Sequence, residues 1–186
     1  MMQQKQELVQ TYKWLRQYGL NDSHSGNASV RDGDTFWITP TGACADTLAA
    51  DDLVACGMDE STGEGASLDA ALHRAVYQAN PDAVCVLHSH GPNTVAMTMD
   101  GKDFAPPDFE GNLYFPRVPV LTITYQDYLD ESPAQVGRTL AKYPVTVVRG
   151  HGVYASAESI NLAYKWTCSL ELSAKTARFA HQAGTL

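Results

Sequence analysis

The sequence predicts an α/β fold in a single domain spanning residues 1–186, on three observations. Segments with helical spacing alternate with short apolar, β-branched runs along the whole chain. No internal repeat and no linker-like stretch interrupts that alternation. A length of 186 residues, 44% hydrophobic and 18% charged, is enough for one sizeable core and too little for two.

The elements follow in order. Residues 4–18 carry Leu8, Val9, Tyr12, Leu15 and Tyr18 at helical spacing, and Gly19 stops the helix. A small-residue segment leads into two strands, NASVR and TFWITP, joined by a turn at Asp32–Asp34. TPTGACADTL is a loop, DDLVACGMD a short strand and STGEGAS a turn. LDAALHRAVYQANP is an alanine-rich helix closed by Pro81. DAVCVLHSH is a buried strand, and GPNTVAMTMDG a short helix after it. DFAPPDFEGNLYFP, with three prolines, is expected to be irregular, and RVPVLTITY to be a strand. SPAQVGRTLAKYP is expected to start a helix with Ser132 as N-cap and Pro133 in the first helical position. VTVVRGHGVYASA holds two strands about a Gly–His–Gly turn, and a long helix closes the chain.

Bulk properties narrow the function classes. A formal net charge of -8 with no Lys/Arg cluster argues against a nucleic-acid partner. The N-terminus is polar and helical rather than signal-like, and no apolar run approaches the ~20 residues of a membrane span. Cys44, Cys56, Cys85 and Cys168 show no CxxC spacing and fit reduced thiols. These features predict a cytoplasmic protein with no membrane partner.

The chemistry concentrates at strand ends. In CVLHSHG, side chains two apart on a strand share a face, so His88 and His90 project together. VVRGHGV repeats the pattern: a β-rich run ends in His151, bracketed by Gly150 and Gly152. Three imidazoles with an open position are the usual form of a catalytic zinc site, although any one of them alone reads more readily as a buried, hydrogen-bonded histidine. Asp69 opens the helix before the His88 strand, either as a carboxylate for the site or as an ordinary cap. His73, four residues on, shares its helix face and reads as packed rather than ligating. SGNASVR and ITPTG offer free backbone N–H groups that suit an anion, though such loops are commonly plain turns.

Taken together, GNASVR, ITPTG, DAALHRAVYQANPDAVCVLHSHG and RGHGVYA before a long helix resemble the class II aldolase/adducin family across nearly the whole chain. The resemblance implies a three-layer α/β/α sandwich around a largely antiparallel central sheet. It implies a homotetramer with active sites at subunit boundaries. Family enzymes include fuculose- and rhamnulose-phosphate aldolases, ribulose-phosphate 4-epimerase, methylthioribulose-phosphate dehydratase and sugar-acid decarboxylases. Adducin-like members are non-catalytic interaction modules that lack the metal histidines, and this chain keeps all three.

Carried over by position, the resemblance makes His88, His90 and His151 the ligands of a divalent metal, Zn2+ first, with Mn2+ or Co2+ also accepted. It makes Asp69 the proton-shuttling carboxylate and Asn27, Thr41, Gly42 and Ser67 a phosphate pocket. That pocket departs from the family where Leu68 replaces a second serine and His24 a threonine. Glu110 falls where dehydratase-like members carry a catalytic glutamate, and Tyr114 is the candidate acid for the aldehyde oxygen. The implied function is metal-dependent retro-aldol cleavage of a small ketose phosphate or sugar acid through a metal-stabilised enediolate. The alternatives are epimerase, dehydratase or decarboxylase chemistry on the same site, or the non-catalytic module.

Overall fold

Seven short, largely buried strands build one sheet in a computed structural model describing residues Met1–Leu186. The strands are β1 (Asn27–Asp32), β2 (Thr35–Ile38), β3 (Val54–Gly57), β4 (Cys85–Ser89), β5 (Val120–Leu121), β6 (Val145–Val148) and β7 (Gly152–Ala157). Their order is β3-β2-β1-β4-β7-β6-β5, and only the β5–β6 pair is parallel. The helices are α1 (Met2–Gln17), α2 (Ala70–Ala79), α3 (Pro92–Met97), α4 (Phe109–Tyr114), α5 (Tyr128–Leu140) and α6 (Ile160–Ala183).

Strand β4 lies at the centre with all five residues buried, and its two faces feed different cores. Cys85 and Leu87 pack with α1 residues Leu8, Tyr12 and Leu15 and with Ala163 of α6. Val86, one residue out of phase, packs with Leu72 and Val76 of α2, Val136 of α5 and Tyr154 of β7. Helices therefore cover both faces of a largely antiparallel sheet, which is the expected sandwich. On the β6–β7 side, Val147, Val153 and Ala155 meet Leu170, Ala174 and Ala177 of α6.

Three expectations need correction. Helix α5 begins at Tyr128, with Asp127 as N-cap, so Ser132 is buried inside the helix and Pro133 is an interior residue. Proline lacks the N–H that would reach the Leu129 carbonyl of the preceding turn, so the ladder of α5 loses one hydrogen bond there. RVPVLTITY pairs with the sheet only at Val120–Leu121. Pro119 cannot donate to a ladder, and Val118 bridges Phe104 instead. The proline-rich segment is not wholly irregular, because Asp108 caps α4 by accepting from the Gly111 N–H at 2.9 Å.

Candidate metal centre and active site

The antiparallel register sets His88 of β4 directly opposite Tyr154 of β7. The His88 Nδ1–H donates to the Val153 carbonyl at 3.0 Å, which leaves Nε2 as the free nitrogen. His90 follows β4 by one residue, and its backbone N–H is fixed by the Asn21 side-chain oxygen at 2.9 Å. His151 sits in the β6–β7 turn, where Gly150 has φ +70°. The Nε2 atoms of His90 and His151 lie 2.9 Å and 3.3 Å from Nε2 of His88. Gly152 makes this convergence possible: a Cβ there would stand 2.3 Å from the Ser89 carbonyl oxygen and 2.9 Å from the His88 ring.

Three ring nitrogens facing one another are short of protons to bond with. His88 already commits its proton to Val153, so its Nε2 lone pair points at two further Nε2 atoms. Burial holds all three imidazoles below the ordinary histidine range, His88 well below it. Neutral nitrogens aimed at a common point, all within 4.8 Å, suit a divalent cation with an open coordination side.

Asp69 stands at the N-cap of α2 but makes no side-chain cap bond. Its Oδ1 accepts from the Tyr128 hydroxyl at 2.9 Å. Its Oδ2 accepts from Asn27 Nδ2 at 2.8 Å and from the Tyr154 hydroxyl at 3.1 Å. Burial pushes this carboxyl up, but positive charge on His88, donation by Asn27 and Tyr128 and charge on His73 outweigh it and hold the group below the usual range. His88 is itself neutral at ordinary pH, so the donors Asn27 and Tyr128 keep Asp69 ionised there. His73 is fully buried and bonded to Ser29, as a packed histidine should be.

A cavity of about 800 Å³ joins these groups. His88, His90, His151 and Asp69 line it, together with His24, Asn27, Thr41, Gly42 and Ser67. The His24 loop is held by α1, whose Tyr12 hydroxyl donates to the Ser25 carbonyl at 3.1 Å. Asp22 accepts from the His24 and Ser25 N–H groups, and Ser23 Oγ meets His24 Nδ1 at 2.8 Å. Leu68 is 73% exposed at the same cavity. Tyr114 and Glu110 are not brought to it. Tyr114 packs on Trp166 of α6 with the Lys165 ammonium over its ring, and Glu110 is exposed.

Two phenols at the site were missed by the sequence reading. Tyr154 is fully buried, while Tyr128 is half-buried and lines the cavity. The signal for Tyr128 lay in TYQD: Thr124 Oγ1 donates to the Asp127 carboxylate at 2.6 Å and so prepares the start of α5. A helix starting at Ser132 would leave Tyr128 outside it, whereas α5 begins at Tyr128. The signal for Tyr154 was its place on β7 directly opposite His88, which is visible only once the register is known.

Residues 6–178 match the family described as Class II Aldolase and Adducin N-terminal domain. The chain belongs to the class II aldolase/adducin family. The crystal structure of L-fuculose-1-phosphate aldolase from Thermus thermophilus is 29% identical to this class II aldolase-family chain, with a TM-score of 0.88 over 95% of this chain and 93% of that one. The L-fuculose phosphate aldolase of Methanocaldococcus jannaschii is 26% identical over 153 residues, 81% of this chain and 82% of that protein. The 3-oxo-tetronate 4-phosphate decarboxylase of Cupriavidus necator is 33% identical over 99 residues, 52% of this chain and 46% of that protein.

Proposed function

We propose that this protein is a metal-dependent lyase that cleaves a carbon–carbon bond of a small ketose phosphate or related sugar acid by retro-aldol chemistry. The observation that carries this reading is the convergence of three histidine Nε2 atoms in one cavity with an ionised, triply hydrogen-bonded Asp69. A divalent cation held by His88, His90 and His151 would supply Lewis acidity towards a carbonyl and a neighbouring hydroxyl. An all-nitrogen, three-ligand arrangement favours Zn2+, with Mn2+ and Co2+ as competitors.

The chain's own groups do the rest. Asp69 takes and returns a proton beside the cation. Thr41, Gly42 with its φ of +66°, Ser67 and His24 offer donors to the anionic end of the substrate. No helix is long and apolar enough to cross a membrane, and the four cysteines are unpaired, which supports a cytoplasmic place. A homotetramer is proposed on family membership, and it would offer Tyr114 and Glu110 to a neighbouring subunit's cavity.

The experiment is metal analysis of the purified protein, followed by a ketose-phosphate and sugar-acid panel with the aldehyde product trapped by a coupled reductase. One divalent ion per chain, lost in His90→Ala while the fold persists, is expected. Full metal occupancy in His90→Ala would show the site to be misassigned. A decarboxylase reading competes because the C. necator relative carries that activity in its name, and carbon dioxide release from the sugar acids separates the two.

A further inference from the structure

Asp69, Tyr128 and Tyr154 form a closed triangle of oxygens. Tyr128 reaches Asp69 Oδ1 at 2.9 Å, Tyr154 reaches Oδ2 at 3.1 Å, and the two hydroxyls touch each other. Two neutral phenols carry two protons between them, one fewer than the three contacts. One edge of the triangle is therefore always without a proton, and the pattern has a choice.

The choice is not symmetric. Tyr154 is fully buried and has no route to solvent, while Tyr128 lines the cavity. When Tyr154 donates to Asp69, the carboxylate still has two donors, Tyr154 and Asn27. With Tyr128 also donating to Oδ1, the edge without a proton lies between the two phenols, and the Tyr128 oxygen can accept from a hydroxyl in the cavity while its own proton stays on Asp69. Its ring is held for that task, edge-on to His151 with centroids 4.8 Å apart. It thus stands beside both the candidate metal centre and the carboxylate, where Tyr114 of the same chain does not reach.

We propose that Tyr128 is a catalytic residue that relays the proton of the substrate hydroxyl to Asp69 during bond cleavage. The inference rests on the retro-aldol reading of the site given above. The hydroxyl proton on the carbon being released passes to the Tyr128 oxygen, and the Tyr128 O–H proton passes to Oδ1 of Asp69. The alcohol oxygen's electron pair becomes the second bond of the aldehyde carbonyl. The electron pair of the broken carbon–carbon bond stays with the ketose fragment. Asp69, now a carboxylic acid, returns its proton to that fragment's carbon, which leaves one aldehyde, one ketone and both residues as they began.

This division of labour separates two reactions. Cleavage needs Tyr128 and Asp69. Exchange of a carbon-bound hydrogen of dihydroxyacetone phosphate with deuterated water needs Asp69 alone. The test compares metal-loaded wild type, Tyr128→Phe and Asp69→Asn on both, with metal content and calorimetric affinity for dihydroxyacetone phosphate measured alongside. Tyr128→Phe is expected to keep the metal and bind dihydroxyacetone phosphate within about threefold. It should retain the exchange and lose about 10²–10³-fold in kcat for cleavage. Asp69→Asn should lose both reactions. If Tyr128→Phe loses exchange and cleavage together, Tyr128 only holds Asp69 in place and the relay is wrong. Cleavage within threefold of wild type also overturns it. A wild-type protein that neither cleaves nor exchanges brings down the retro-aldol reading and the relay with it.

Discussion

The His88 imidazole lies flat against the Tyr154 ring, with centroids 4.1 Å apart and planes within 1°. The two residues are direct cross-strand partners on β4 and β7, so sheet register alone creates the stack. The phenol therefore serves two groups at once: its face orients a candidate ligand and its hydroxyl donates to Asp69. Sheet register, rather than any loop, ties the carboxylate to the metal centre.

Substitutions at Tyr154 should separate those two services. Tyr154→Phe keeps the ring and loses one hydrogen bond, for a cost of about 1 kcal/mol in denaturant unfolding. Metal affinity by chelator competition should stay close to wild type. Tyr154→Ala removes the ring, is expected to cost about 3–5 kcal/mol, and should weaken metal binding by about 10–100-fold. Equal metal affinities for the two variants would show that the stack does not orient His88.

Gly152→Ala tests whether the close approach of β7 to the end of β4 is needed. The obstacle at 2.3 Å is the Ser89 backbone carbonyl, which cannot swing aside as a side chain could. The strands must separate locally, and the separation acts on the two ring nitrogens of His88 and His151. Metal stoichiometry should fall below half an ion per chain while the far-ultraviolet circular dichroism stays native. Wild-type stoichiometry in this variant would mean that the histidines converge without the glycine.

Much of the site was legible in the sequence because short-range rules place it. His88 and His90 share a face because of strand alternation, and His151 is identified by the glycines on either side. The Asp69 network was not legible, because its donors Asn27, Tyr128 and Tyr154 are 42, 59 and 85 residues away in sequence. The elements fared likewise. Helices with an apolar stripe, such as α2, were placed closely. The short α4 and the early start of α5 were hidden by prolines, whose usual message is the end of regular structure rather than its interior.

Asp69→Asn keeps the shape of the carboxylate and removes its charge. The amide nitrogen meets Tyr128 or the Tyr154–Asn27 pair, and the phenols can turn to accept where they formerly donated. The fold should lose about 1–3 kcal/mol and the metal should remain. Turnover should fall about 10²–10⁴-fold with little change in KM, because proton transfer is lost and substrate binding is not. Turnover at the wild-type rate with full metal content would remove Asp69 as the proton carrier.

His73 predicts how stability depends on pH. Its Nδ1–H donates to Ser29 Oγ at 2.6 Å, Ser29 reaches the Tyr77 hydroxyl at 2.6 Å, and Tyr77 reaches the Val84 carbonyl at 3.5 Å. That chain satisfies every proton while the imidazole is neutral, and the buried Nε2 has no partner for a second one. Burial accordingly pushes His73 from 6.5 down to about 4, against the opposing pull of Asp69. Between those values the unfolded chain binds a proton that the folded chain refuses, so acid favours unfolding. The contribution is fully present above pH 6.5 and is lost as pH falls to about 4, reaching about 3 kcal/mol. The metal-centre histidines act in the same direction, so the measurement is a difference. Denaturant unfolding of metal-free wild type and His73→Gln should diverge through this window, with the variant losing less stability on acidification. Parallel curves from pH 7 to 4 would mean that His73 takes up its proton without leaving the fold.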